Sequence, residues 1–397
     1  MPTRPASYRA IYAYAWDVAD VGTSKFVADM QALGLDTVTL AGAYHAGKFL
    51  RPKGKSGKVF FPEDGTVYFR PDLSRYGTIK PAANGLLESR DVLSELCRAE
   101  DMAANAWMVL LHNTRLGTEH PRSTVENAFG DRYVYSLCPS APEVREYAVA
   151  LCKDVTDNYP VVGLSLETPG FLPYQHGFHH EFALVRQNNW LDARLGLCFC
   201  EHCLRGATEK GIDAVGLKRK TARDIEAYLD SDIDFPDDMA ESFWLADVED
   251  GEFSAYLRFR CDVVTSLVAE IRAAVRADAA VAVIPSVARP TGGAWYEGSD
   301  LAGLAKAAGI VEACFYEPSA ARIRADIFDV KRRIGGAGKL RGILRPAHPD
   351  LQSKSELVAA ATALRDAGIT EVAFYNFGHL RRSNLAWIAD ALAVFGE

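Results

Sequence analysis

Two sets of residues in this chain have the types and spacing for chemistry, and the first is sulfur. Cys198, Cys200 and Cys203 fall within six residues, in C-F-C-E-H-C, while Cys138 stands well before them in YSLCPSAP. Three thiols on one short turn can take three corners of a tetrahedron around Zn²⁺, and the fourth corner must come from another segment. Cys138 is the expected fourth ligand, with His202 as the alternative. Four protein ligands leave no open position, so such a metal is expected to be structural, pinning a long loop to the body of the protein. Cys97, Cys152, Cys261 and Cys314 lie instead in apolar stretches, where a thiol behaves as a small hydrophobe.

The second set is carboxylates. Glu167 closes VVGLSLE and Glu317 closes VEACFYE. A glutamate ending an apolar run has lost solvent on one side, which raises its pKa and makes it usable as a general acid near neutral pH. Glycoside hydrolysis needs that acid and a second carboxylate that attacks or activates water. Glu167 is therefore the expected acid, and Glu317 the expected nucleophile or base. Arg289, Arg322 and Arg345 are the cations able to pair off either one.

Aromatic rings gather near the same places. Trp16, Tyr44, Phe171, Tyr174, Trp295, Tyr316 and Tyr375 fall at or just after the ends of apolar runs, where flat faces can stack on sugar C–H surfaces. The expected substrate-binding set is Trp16, Asp17, Tyr44, His45, His112, Asn113, Trp295, Arg345, Tyr375 and Asn376. The run YHAGKFLR adds Lys48 and Arg51, which suit an anionic group. HGFHHE, from His176 to Glu181, carries His176, His179 and His180, but no helix is signalled around Gly177 to space them as metal ligands.

These residues need a scaffold, and the hydrophobic pattern supplies one. Short runs rich in β-branched and aromatic residues alternate with segments of helical period, the pattern of repeated βα units. The expected strands are Arg9–Trp16, Thr37–Tyr44, Asn105–His112, Val161–Glu167, Val281–Val287, Val311–Glu317, Leu340–Arg345 and Glu371–Phe377. Between them Phe26, Met30 and Leu33 form one helical stripe, and Tyr256, Phe259, Val263, Leu267 and Ile271 another. Eight such units, each strand too apolar to face water, predict an α/β protein of the (β/α)8 TIM-barrel class. Residues 1–397 are expected to form one barrel, with long insertions after strands two, three and four and a zinc-bearing subdomain at about 168–250. Barrel enzymes build their sites on those βα loops.

Composition sets outer limits. The 397 residues are 49% hydrophobic and 24% charged, as in a folded globular protein. Lys and Arg number 44 against 52 Asp and Glu, a net charge of −8, so the chain lacks the positive face that nucleic acid or an anionic membrane would need. No run approaches a membrane span. The expectation is a soluble, cytoplasmic monomer or homodimer whose partner is a small carbohydrate.

CPSAPEVREY at Cys138–Tyr147, the strand ending in Glu167 and CFCEHC at Cys198–Cys203 together resemble the family 42 glycoside hydrolases, the clan A β-galactosidases, over roughly residues 105–275. That resemblance implies zinc on Cys138, Cys198, Cys200 and Cys203, and Glu167 as acid/base. The chain departs from the family at two points. Leu166 precedes Glu167 where the family has Asn, and strand seven, GILRPAHP, has no carboxylate before Asp350, where the family's nucleophile stands. The β-galactosidase activity therefore does not carry over. YHAGKFLRP and VFFPEDG make the whole chain similar to a bacterial subgroup of glycosidase-like barrels related to that family.

The leading expectation is a glycoside hydrolase using Glu167 and Glu317. Two others compete: a carbohydrate-binding barrel without hydrolysis, suggested by the missing strand-seven carboxylate, and a sugar isomerase or lyase with His45, His112 or His348 as base.

Overall fold

The computed structural model describes residues 7–178 and 182–396. Eight strands pair in parallel in chain order: β1 (Arg9–Ala13), β2 (Thr37–Tyr44), β3 (Ala103–Val109), β4 (Gly163–Glu167), β5 (Ala280–Val283), β6 (Gly309–Cys314), β7 (Lys339–Leu344) and β8 (Val372–Phe374). β1 pairs with β8 on one side and β2 on the other, so the sheet closes on itself. This is the (β/α)8 barrel that the eight apolar runs predict. Helices such as Pro142–Asn158, Gly251–Ala274 and Ala320–Ile334 pack their apolar stripes against it.

Most strands end earlier than their apolar runs. β1 stops at Ala13, and helix Ala15–Val21 takes up Trp16 and Asp17. β6 stops at Cys314, three residues short of Glu317. Hydrophobicity marks burial, and in this barrel it continues into the turns that leave the strands.

The barrel interior is polar at one level. Glu312 on β6 is fully buried and accepts hydrogen bonds from Tyr8 Oη at 2.8 Å and Ser165 Oγ on β4 at 2.6 Å. Asn105 on β3 donates to Ser165 Oγ at 3.0 Å, and Thr39 on β2 lies 2.8 Å from Tyr8 Oη. Above this layer, toward the C-terminal ends of the strands, the interior turns aromatic.

The expected insertions are present. After β2 a small hairpin, Phe49–Leu50 with Val59–Phe60, folds over the mouth. After β3 a second hairpin pairs Thr124–Glu126 with Arg132–Leu137. The excursion after β4 carries helices Asn189–Leu195, Glu201–Glu209, Ala214–Leu229 and Asp237–Glu249. Some of these share a small apolar cluster of Trp190, Leu191, Ile225, Tyr228 and Ala240, apart from the main core.

Candidate active site

Glu167 is the last residue of β4, and side-chain alternation aims it inward with Ser165. It faces a cavity of about 290 Å³ walled by Tyr12, Tyr44, His45, His176, Cys314, Tyr316, Arg345 and Tyr375, among others. Trp107 Nε1 donates a 2.6 Å hydrogen bond to Glu167 Oε2. Burial pushes the Glu167 carboxyl up to about 7, against the opposing pull of that N–H. It can therefore hold a proton near neutrality and give it up to a leaving oxygen.

The next residue is strained. Thr168 has φ 52°, a left-handed conformation that is a genuine outlier for a β-branched side chain. Strain of about 1–3 kcal/mol persists only where the surroundings over-determine it. Here Leu110 N and Leu111 N bond the carbonyls of Glu167 and Thr168 at 3.0 and 3.2 Å. Thr168→Gly is expected to leave stability within about 1 kcal/mol, strain relief offsetting the added chain entropy. Turnover should fall about tenfold as the aim of Glu167 loosens. Chemical denaturation beside steady-state kinetics checks both halves.

Tyrosines build the cavity floor. Tyr14 Oη lies 2.9 Å from Tyr44 Oη and 3.0 Å from Tyr375 Oη, tying the turn after β1, the end of β2 and the turn after β8 together. A bulge between Ala41 and Ala43 in β2 reverses the alternation that points Thr39 into the interior, and so turns Tyr44 inward as well. Burial holds the Tyr14 and Tyr44 phenols well above their usual range and Tyr375 at about 12. His45 stacks on His112, ring centroids 3.9 Å apart. Arg345 lies over the Tyr316 ring at 4.2 Å and is ion-paired to buried Asp350.

Several expected site residues are elsewhere. Glu317 does not line the cavity. On β6 and its exit Glu312, Cys314 and Tyr316 point inward, so Glu317 has the opposite parity. It is 1% exposed and ion-paired to Arg322 at 2.6 Å. Its expected role as second carboxylate is corrected on that ground. Glu317→Gln should leave turnover unchanged and cost about 1 kcal/mol, since Arg322 is largely in solvent; kinetics and a denaturant titration together would show it.

Asp17 is buried against Arg51, which bonds it at 2.6 Å and fixes the β2–β3 excursion. Trp16 stacks on Tyr14 at 4.3 Å and packs under the hairpin ring of Phe60 at 5.0 Å, and it does not line the cavity. Asn113 caps helix Thr114–Glu119 by accepting from Leu116 N at 2.9 Å. Asn376, with parity opposite to Tyr375, accepts from Gly378 N at 2.8 Å and is fully buried. These four, expected at the substrate, hold the scaffold. His112 bonds Gly177 O at 3.0 Å beside the cavity, and His348 is exposed and does not line it. His179, His180 and Glu181 lie outside the described residues.

A second cavity of about 490 Å³ adjoins the first, sharing His176 and Val287. Trp295 stands in its wall with Tyr296, Gln175, Asp192, Arg289 and Glu297. Trp295, expected from the sequence at the substrate, lies in this wall, and Glu297 two residues on was not singled out because the short helix Thr291–Glu297 carries no strand-end signal. A larger hollow of about 540 Å³ between helices Ala320–Ile334 and Lys354–Asp366 is remote from the strand ends where barrel chemistry is done.

The four cysteines come together. Cys138 Sγ lies 3.5, 3.8 and 3.6 Å from the sulfurs of Cys203, Cys198 and Cys200, and all four are buried. A tetrahedron with metal–sulfur bonds of about 2.3 Å has edges of about 3.8 Å, so the group fits a metal held by four thiolates. His202 does not belong to it. Cys138 follows the hairpin after β3 and the other three open helix Glu201–Glu209, so the cluster joins two excursions.

No family model matches the chain, and no curated protein matches it in sequence. Among solved structures it resembles the PgaB (BpsB) glycoside hydrolase domain from Bordetella bronchiseptica, with 15% identity over 98% of each chain and a TM-score of 0.54. The endo-1,4-β-mannanase from Rhizomucor miehei, at 10% identity over 100% of this chain and 96% of that one, gives a TM-score of 0.49. At 15% identity the likeness to the Bordetella domain is one of fold.

Proposed function

We propose that the protein is a glycoside hydrolase acting on a small carbohydrate, with Glu167 as its general acid. The observation that carries this is a strand-end glutamate desolvated to about 7 and facing a tyrosine-lined cavity at the C-terminal mouth of the barrel. The Bordetella domain, a glycoside hydrolase domain by name, supports the reading at the level of fold. The motifs shared with family 42 support it for Glu167 and for zinc as the structural metal on Cys138, Cys198, Cys200 and Cys203. Tyr44, Tyr316 and Tyr375 would stack or bond the sugar, and His45 and Arg345 would bind its hydroxyls or an acidic substituent.

The test is a panel of nitrophenyl glycosides and soluble oligosaccharides. Turnover by the wild type that disappears in Glu167→Gln supports the proposal. Turnover indifferent to that substitution, or binding of an oligosaccharide with no product, overturns it.

A further inference from the structure

We propose that Glu297 supplies the second carboxyl of the reaction, at the junction of the two cavities; the inference rests on the hydrolase reading above. The geometry comes first. Glu297 ends the short helix Thr291–Glu297 in the segment after β5, and it is 5% exposed. Its carbonyl accepts from Phe171 N at 3.0 Å, which fastens it to the segment leaving Glu167. Gly170 is required there, because a Cβ would stand 2.2 Å from that same carbonyl oxygen. Thr168, next to Glu167, shares the outer cavity's wall with Glu297. The inner cavity, holding Glu167, meets the outer one at His176 and Val287. A glycoside lying through both cavities would thus run past both carboxyls.

A structural role leaves part of Glu297 unexplained. Ser286 Oγ donates to one carboxyl oxygen at 2.5 Å, and no ion pair holds the other among the described residues. The groups facing it are Glu167 from β4, Asp192 from helix Asn189–Leu195 and Arg260 from helix Gly251–Ala274. Burial lifts its carboxyl to about 8, with Glu167 and Asp192 adding to the rise and Ser286 and Arg260 opposing it. Neighbouring buried carboxyls titrate as a pair, and the form that reacts holds one proton, on Glu167.

The chemistry balances with water as the only co-reactant. Glu167 gives its proton to the glycosidic oxygen while the bond from that oxygen to the anomeric carbon breaks, its electron pair leaving with the oxygen. Water forms the new bond to the anomeric carbon, and the Glu297 carboxylate takes the proton that water sheds. Proton return from Glu297 to Glu167 through solvent restores the pair. Direct displacement by water needs the two carboxyls about 6.5–9.5 Å apart, leaving room for the water between them.

The experiment compares Glu297→Gln, Glu167→Gln and Ser286→Ala on whichever glycoside of the panel is turned over. Glu297→Gln is expected to lower kcat at least a hundredfold, with azide, a small anionic nucleophile, restoring part of the rate. Glu167→Gln should recover on substrates whose leaving group needs no protonation, and Glu297→Gln should not. Ser286→Ala, which removes only the donor, should move the rising limb of the pH profile to higher pH. If Glu297→Gln folds and keeps wild-type kcat while Glu167→Gln is dead, this inference fails and the hydrolase reading stands. If both variants are fully active, the hydrolase reading fails with it. Should no glycoside be turned over, NMR titration of isotope-labelled glutamate carboxyls decides the pairing. Glu167→Gln must then lower the pH at which Glu297 titrates, and an unmoved Glu297 overturns the pair.

Discussion

Stripping the metal from the four-cysteine cluster is expected to lower the melting temperature by roughly 10 °C or more. Structural zinc contributes an apparent ~10–16 kcal/mol in small peptides at neutral pH. For 397 residues, an unfolding entropy of about 2.1 cal/mol/K per residue makes 1 kcal/mol worth about 1.2 °C. Four buried thiols brought within 4.8 Å of one another would repel on ionising without a cation between them. The loss should be felt first in the excursions after β3 and β4, which the cluster joins, and so in the outer cavity built on the second of them. Elemental analysis of the purified protein should find about one zinc per chain. Thermal melts with and without a chelator, and of Cys138→Ser, measure the stability. Metal-free protein with an unchanged melt would show that the thiols are merely packed.

Glu167→Gln carries the largest expected effect on activity, a loss of about 10²–10⁴ in kcat with KM little changed. Gln keeps the shape and the bond from Trp107 but has no proton to give. Because the reaction needs one proton on the Glu167–Glu297 pair, wild-type activity should peak between about pH 7 and pH 8 and fall on either side. Stability should move the other way in the variant. A carboxyl raised from an ordinary 4.5 to about 7 in the folded chain adds stability fully present below 4.5 and lost as pH rises through 7. Gln removes that dependence, so the variant should gain about 2 kcal/mol on the wild type between about pH 5 and pH 8, after allowance for the partial exposure of Glu167. Melts at the two pH values read the gap directly.

The barrel and three of the four clustered cysteines were readable in the sequence because each is a local pattern. Alternating apolar runs announce βα units, and C-F-C-E-H-C places three sulfurs on one turn. What failed was the step from strand end to pocket. Glu167 and Glu317 look alike on paper, each closing an apolar run. One ends its strand, whereas the other lies three residues past it with the wrong parity. The alternation Glu312, Cys314, Tyr316 could have excluded Glu317, had the inward face of β6 been known. Trp16 and Asn376 failed the same way, by a helix that begins early and by a one-residue difference from Tyr375. Tyr44 faces inward through a bulge that no residue pattern announces. Glu297 depends on a fold-level meeting of the segments after β4 and β5, which local spacing does not encode.

The carboxyl of Glu312, deep between the strands, bears on how such a barrel can assemble. Its partners Tyr8 and Ser165 belong to the first four units, while Glu312 belongs to the last four. A half-barrel of either kind would bury one side of this arrangement without the other, and an unmatched buried polar group is costly. Tyr8 is also 304 residues from Glu312 along the chain, a loop closure that no short-range contact can substitute. Each half alone lacks these bonds. The polar bonds across the interior reward only complete closure, which makes the ring cooperative and leaves its mouth free to vary.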